Sequence, residues 1–147
     1  MRFLLAGVAV WMSVASSTSL AASFPEHAMA DSGRLLSRVA PVSGKGSPAQ
    51  QTRQAIDALW KRDRDAQIVK LRVFVNDPSV SSAVSTAIAE AFQKKHAALP
   101  VVSLIRVAAL PAGASVAVEA TSLAKRDVNP QGIGFIDRKS TRLNSSH

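Results

Sequence analysis

The fold class of this chain is decided by residues 69–95, VKLRVFVNDPSVSSAVSTAIAEAFQKK, in which a strand pattern runs directly into a helix pattern. In residues 69–75, apolar positions alternate with charged or aromatic ones, and this period of two is typical of a strand in a sheet. Asn76-Asp77-Pro78 ends the strand and is expected to cap the helix that follows. The helix is predicted from apolar residues that recur at helical spacing and form one buried face: Val80, Val84, Ala87, Ile88 and Ala91.

Similar patterns continue on both sides of this stretch. Upstream, residues 35–39 have the composition of a short strand, and a helix is predicted over 48–61. Ser47 is its expected N-cap, Pro48 takes the first helical position, and Gln50 takes the capping-box position. Downstream, extended runs over 101–107 and 115–121 flank a turn at 110–113. The order strand, helix, strand, helix, strand, strand predicts an α+β fold of two layers, with both helices on one face of a mixed sheet.

The N-terminus differs in composition from this domain. Residues 1–21 carry one charge and an apolar run of about 12 residues, which is too short to cross a bilayer, and end in small residues where a signal peptidase cuts. We interpret them as a secretory signal peptide, with a membrane anchor as the alternative, and residues 22–29 as a linker. The predicted localisation is therefore periplasmic or secreted, with no membrane contact after signal cleavage.

The C-terminal residues 137–147, DRKSTRLNSSH, are polar and basic and resemble one translated frame of a sequencing-library adapter. We interpret them as a non-native tail, and the alternative is a genuine basic tail. On the first interpretation the natural protein continues beyond Ile136, and this chain is a truncated fragment.

Charge and composition narrow the function classes. The chain has 147 residues with 18 Lys and Arg against 10 Asp and Glu, but four of the basic residues lie in the two end segments, so the domain itself is only mildly basic. The absence of cysteine excludes disulfides and thiolate metal sites. Outside the C-terminal tail, His27 and His96 are the only histidines, and neither has a second histidine at metal-binding spacing. No metal site is predicted.

Basic residues between positions 53 and 72 raise the alternative of a nucleic-acid surface. Lys70 and Arg72 are expected to share a strand face with Ile68 and Phe74, which places two cations beside an aromatic ring. Aspartates are interleaved with the cations of this region, however, and no set of stacking aromatics accompanies them. A solvated charged face is the favoured interpretation, and no nucleic-acid partner is predicted.

Glu119 is the candidate catalytic residue that the residues themselves suggest. It lies near the end of a predicted strand whose other members, Val116, Val118 and Ala120, are apolar. A half-buried carboxylate there could act as a proton shuttle or hold a water molecule. The alternative, which the residues alone favour, is an acid that faces solvent or forms an ion pair.

Three stretches of the chain resemble one family. They are QTRQAIDAL at 51–59, VKLRVFVND at 69–77, and the spaced segments PVVS at 100–103, VAALP at 107–111 and VEA at 118–120. Their order and spacing are similar to those of the RidA/YjgF family of enamine/imine deaminases, and the resemblance covers a domain at 30–126. It implies a chorismate-mutase-like fold that assembles as a trimer with a ligand cleft between subunits. It also implies hydrolysis of small reactive imines or enamines to carbonyl compounds and ammonia, without a cofactor.

The resemblance also places the family's site residues on this chain, where several are altered. The arginine that grips the substrate carboxylate falls at Val102, an asparagine of the second helix falls at Thr86, and a cysteine falls at Leu104. The family's N-terminal tyrosine is missing from a chain that has no tyrosine. Glu119 alone is kept, at the position of a water-holding glutamate. Because valine cannot bind a carboxylate, the resemblance implies a catalytically degenerate domain, and whether it is an enzyme stays open.

Two alignments stay open at this point. The family's Ser-Gly-Gln strand end matches either residues 37–39, SRV, or residues 43–45, SGK. Residues 129–136, NPQGIGFI, resemble the first strand of a second domain of the same family, so a second domain is expected to start within 127–136. The alternative for that segment is a C-terminal loop of the first domain.

Two functions of different class follow from the resemblance. The first is an exported deaminase-family protein, with its chemistry in a second domain or in an altered cleft. The second is a non-catalytic domain that binds small molecules or serves as a scaffold in a homotrimer, or in a pseudo-trimer with a second domain. The expected ligand is a small imine, enamine or carbonyl compound.

Overall fold

The computed structural model describes residues 23–128 of the chain. Within them the order of elements is the predicted one, and each element lies within a few residues of its expected bounds. The elements are β1 (Leu35–Val39), α1 (Pro48–Arg62), β2 (Gln67–Val75), α2 (Ser81–Lys94), β3 (Val101–Arg106) and β4 (Val116–Leu123). The predicted signal peptide, the second-domain segment from residue 129 onward and the adapter-like tail lie outside the described residues.

The four strands form one mixed sheet in the order β1-β4-β2-β3. β4 pairs antiparallel with β1 and with β2, whereas β2 and β3 run parallel, joined by α2 as the crossover helix. Residues along β4 alternate between buried and half-buried, because the helices cover only one side of the sheet. The α+β fold with both helices on one face is therefore confirmed. We call the uncovered side the open face, and it includes Ser37, Val39, Arg72, Phe74, Ile105 and Glu119.

The hydrophobic core lies between the two helices and the covered side of the sheet. Helix α1 contributes Ile56 and Leu59, and helix α2 contributes Ile88 and Phe92, all at most 3% exposed. The Phe92 ring packs against Trp60 of α1, with 4.7 Å between the ring centroids. The apolar spacing at Val84, Ala87 and Ile88 in the sequence therefore identified the inward side of α2.

Helix α1 begins with the predicted capping box. The Ser47 hydroxyl accepts a hydrogen bond from the backbone N–H of Gln50 at 3.3 Å, and the Gln50 side chain accepts one from the Ser47 N–H at 2.9 Å. Both N–H groups would otherwise lack a partner within the helix. The proline ring of Pro48, at the first helical position, fixes its φ angle near the helical value.

Next to this cap, the Gln51 side chain ties α1 to the start of β4. Its amide nitrogen donates to the Gly46 carbonyl at 2.9 Å. Its oxygen accepts from the backbone N–H groups of Ser115 at 2.9 Å and Val116 at 3.2 Å. The residue is only 6% exposed, so these bonds satisfy polar groups that water does not reach.

The prediction that Asp77 caps the second helix is wrong in detail. Asp77 caps a short 3-10 turn, Pro78–Val80, by accepting from the Ser79 N–H at 2.9 Å, and α2 starts after it without a side-chain cap. The Ser79 hydroxyl donates to the same carboxylate, and the two bonds hold the pKa of Asp77 below its ordinary value. This cap therefore contributes stability above the ordinary aspartate pKa, and the contribution is lost as the pH falls through the lowered one.

The predicted face of β2 is wrong at Ile68. The pairing of β2 with β4 shifts register between Ile68 and Lys70, which marks a β-bulge. Because the bulge adds one residue to the strand, Ile68 turns into the core and is 4% exposed, while Lys70 and Arg72 remain exposed. A strict period of two does not anticipate such an insertion.

Candidate functional site

Glu119 lies on the open face, between β1 and β2. Its side chain is 24% exposed. One carboxylate oxygen accepts a hydrogen bond from Arg72 Nη1 at 3.2 Å, and the other accepts one from the Ser37 hydroxyl at 3.3 Å. The Glu119 carboxylate therefore forms an ion pair with Arg72 and accepts a hydrogen bond from Ser37. The catalytic role that the resemblance implies stays a prediction.

Arg72 is the partner that the sequence did not connect with Glu119. It is directly opposite Glu119 in the pairing of β2 with β4. Its guanidinium carbon also lies 5.4 Å from the centroid of the Phe74 ring, which adds a cation–π contact. The period-two pattern places Arg72 and Phe74 on one face, but only the strand order brings Glu119 beside them.

The three altered family positions lie elsewhere. Val102 is in β3 opposite Leu71, where it is half-buried and packs against the core. Leu104, two residues further, shares that side of the strand and is 40% exposed, and Thr86 is exposed on α2. Within one protomer, Val102 and Leu104 therefore lie on the helix side of the sheet, and Glu119 lies on the open face.

The two candidate matches for the family's strand end lie in different parts of the fold. Residues 37–39 form the last part of β1, and residues 43–45 lie in the loop that precedes α1. Of the two candidate serines, Ser37 is therefore the one that lies in a strand, and it donates to Glu119.

Residues 23–128 contain no group of three or more His, Asp or Glu side chains close enough together to hold a metal ion. Over that range, neither helix has the length and apolar character needed to cross a bilayer.

Comparison with known proteins places this domain in a family. A family model described as endoribonuclease L-PSP matches residues 32–124. The crystal structure of the YjgF gene product from E. coli matches with a TM-score of 0.57 and 26% identity, covering 72% of this chain and 92% of that one. E. coli TdcF, whose crystal structure contains bound serine, matches with a TM-score of 0.54 and 22% identity, covering 63% and 83%, which shows a shared fold.

None of the curated proteins compared with this chain matches its sequence. The family match nevertheless extends from the turn before β1 to the residue after β4, and so includes every strand and helix described above. The chain therefore belongs to the RidA/YjgF family, whose model is described as endoribonuclease L-PSP.

Proposed function

We propose that this domain is a RidA/YjgF subunit that binds small carbonyl or imine compounds and does not hydrolyse amino-acid-derived imines at the rate of arginine-bearing members. The observation that carries the proposal is Val102. Its side chain packs against the hydrophobic core on β3, at the position where the resemblance places the carboxylate-gripping arginine.

The difference between arginine and valine at this position explains the expected loss of imine hydrolysis. A guanidinium forms two parallel hydrogen bonds with a carboxylate, each contributing about 1.5–3 kcal/mol when a charge takes part. Valine contributes none, and its neighbour on the same side of β3, Leu104, is also apolar. A ligand that binds beside these residues contacts apolar side chains, and this favours an uncharged molecule over an amino-acid-derived anion.

The surroundings of Glu119 support the same proposal. Both of its carboxylate oxygens already accept hydrogen bonds, one from Arg72 and one from Ser37. A water molecule held for attack on an imine would have to share those oxygens with the two side chains. The residue at the family's water-holding position is therefore occupied in structural contacts.

Ligand binding tests the assignment of Val102. Pyruvate and pyruvamide have the same shape, but only pyruvate carries a carboxylate. We expect calorimetry to show no preference of the protein for pyruvate, and Val102→Arg to raise the affinity for pyruvate alone by about tenfold or more. Val102→Gln is the matched control, since it adds a long polar side chain without charge. A preference of the unaltered protein for pyruvate would contradict the proposal.

We further propose that the subunit assembles as a trimer through the open face. Val39, on the same side of β1 as Ser37, is 62% exposed, and Phe74 and Ile105 are half-buried apolar residues of that face. Apolar side chains that stay accessible to solvent on a sheet face are typical of an interaction surface, and the resemblance implies a trimeric assembly. The ligand cleft would then combine Glu119 of one copy with β3 of another.

We also propose that the protein is exported, on the basis of the composition of residues 1–21. Expressed with its own N-terminus in a Gram-negative host, the protein is expected in the periplasmic fraction with a mass that corresponds to a start at Ala22. Leu4→Arg places a charge in the apolar run and is expected to keep the protein in the cytoplasm. An unprocessed protein that begins at Met1 and stays in the cytoplasm would contradict export.

A further inference from the structure

The segment that precedes β1 lies against one end of the open face. Within residues 26–30, several side chains line a cavity together with a residue from each strand of the sheet. The strand residues are Leu35, Lys70, Val101 and Thr121. The segment therefore passes over the end of the sheet where β2 and β3 begin.

Phe24 holds the start of this segment against the domain. Its side chain is half-buried and packs against the hydrophobic core, whereas every other residue from 23 to 30 is exposed. No hydrogen bond or ion pair joins residues 23–30 to the rest of the described chain. Pro25 follows directly and disfavours a helical backbone at Phe24. The position of the extended segment therefore depends mainly on the packing of one aromatic side chain.

The predicted cleavage site of the signal peptide is close to this contact. Cleavage before Ala22 makes Phe24 the third residue after the cut bond. A protease binds its substrate as an extended chain on both sides of that bond, so it needs several residues that are free of the folded protein. With Phe24 packed against the core, the chain between the bond and the domain is too short to enter a protease site.

We propose that folding of this domain blocks removal of the signal peptide, so that cleavage has to precede folding. The inference rests on the proposed export. In the cleavage step, water adds across the Ala21–Ala22 peptide bond and leaves a carboxylate on Ala21 and an amino group on Ala22. Residues 1–21 contain a single arginine, so they lack the twin-arginine signal of the route that carries folded proteins. Export of an unfolded chain agrees with cleavage before folding.

Cleavage of the refolded full-length precursor by purified signal peptidase in a mild detergent tests the proposal. A peptide of residues 1–34 is the reference, because it contains the same bond without the domain, and mass spectrometry detects the product that starts at Ala22. We expect the folded precursor to be cut about tenfold or more slowly than the peptide. The reason is that the bond is accessible only in the fraction of molecules in which Phe24 has left the core.

Two variants test the role of Phe24. Phe24→Ala is expected to bring the cleavage rate of the folded precursor to within about twofold of the rate for its own peptide. Met29→Ala is the matched control, because Met29 is in the same segment and is 94% exposed, and we expect it to leave the ratio of the two rates unchanged. A Gly/Ser spacer of about six residues inserted after Ser23 keeps Phe24 and is also expected to restore cleavage.

The outcomes that overturn the proposal differ from those that overturn export. Equal rates for the folded precursor and the peptide would overturn the inference and leave the signal peptide in place. A peptide that is not cut at all would overturn export, and the inference with it. If Phe24→Ala fails to fold, the spacer variant decides, and a spacer variant as resistant as the unaltered precursor would contradict blocking by the domain.

Discussion

Replacing Gln51 with alanine is expected to lower the free energy of unfolding by about 2–4 kcal/mol. The substitution removes three hydrogen bonds and leaves the N–H groups of Ser115 and Val116 without their acceptor beside the core. It also disconnects the cap of α1 from the first residue of β4. Urea denaturation followed by far-ultraviolet circular dichroism measures the change through the shift of the transition midpoint.

The control for this variant is Gln54→Ala, one helical turn away. Gln54 is exposed and forms none of these bonds, so its replacement by the better helix former should change stability by less than about 0.5 kcal/mol. If the two substitutions lower the free energy of unfolding equally, the hydrogen bonds of Gln51 do not hold the helix to the sheet.

The second large effect is expected for Ile105→Asp, which should convert the proposed trimer into monomers. Ile105 lies opposite Phe74 in the parallel pair of β2 and β3, on the open face. A carboxylate buried there loses its hydration at a cost of several kcal/mol for each subunit. The nearest cation of the open face, Arg72 over the Phe74 ring, is already paired with Glu119. Light scattering coupled to size exclusion should give three times the mass of one chain for the unaltered protein and the mass of a single chain for the variant.

Ala83→Asp serves as the control, because it adds the same charge at an exposed position of α2 on the helix side. We expect this variant to remain a trimer. If the unaltered protein is a monodisperse monomer, that result would contradict assembly through the open face. A variant Ile105→Asp that remains a trimer would contradict it as well.

The sequence predicted the elements well because their signals are local. Ser47, Pro48 and Gln50 identify the start of α1 within four consecutive residues, and the apolar spacing of α2 identifies its buried side. The failures at Asp77 and Ile68 are also local, and they arise from a 3-10 turn before the helix and from one inserted residue in a strand. Neither feature leaves a distinct mark on the sequence pattern.

The candidate site could be predicted only in part, because its contacts join distant strands. Arg72 and Glu119 are 47 residues apart, and their ion pair exists because β4 inserts between β1 and β2. The resemblance identified Glu119 and the altered Val102 as positions of interest, but it did not show what either side chain contacts.

The central claim is that a subunit with valine at position 102 does not hydrolyse amino-acid-derived imines at the rate of an arginine-bearing family member. The most direct measurement is the rate of ammonia release from 2-iminopropanoate formed in situ, with a family member that carries arginine at the matching position as the positive control. We expect the protein to leave the spontaneous rate unchanged to within about twofold, since both the carboxylate grip and a free water-holding glutamate are missing. A rate comparable to that of the arginine-bearing member would contradict the account.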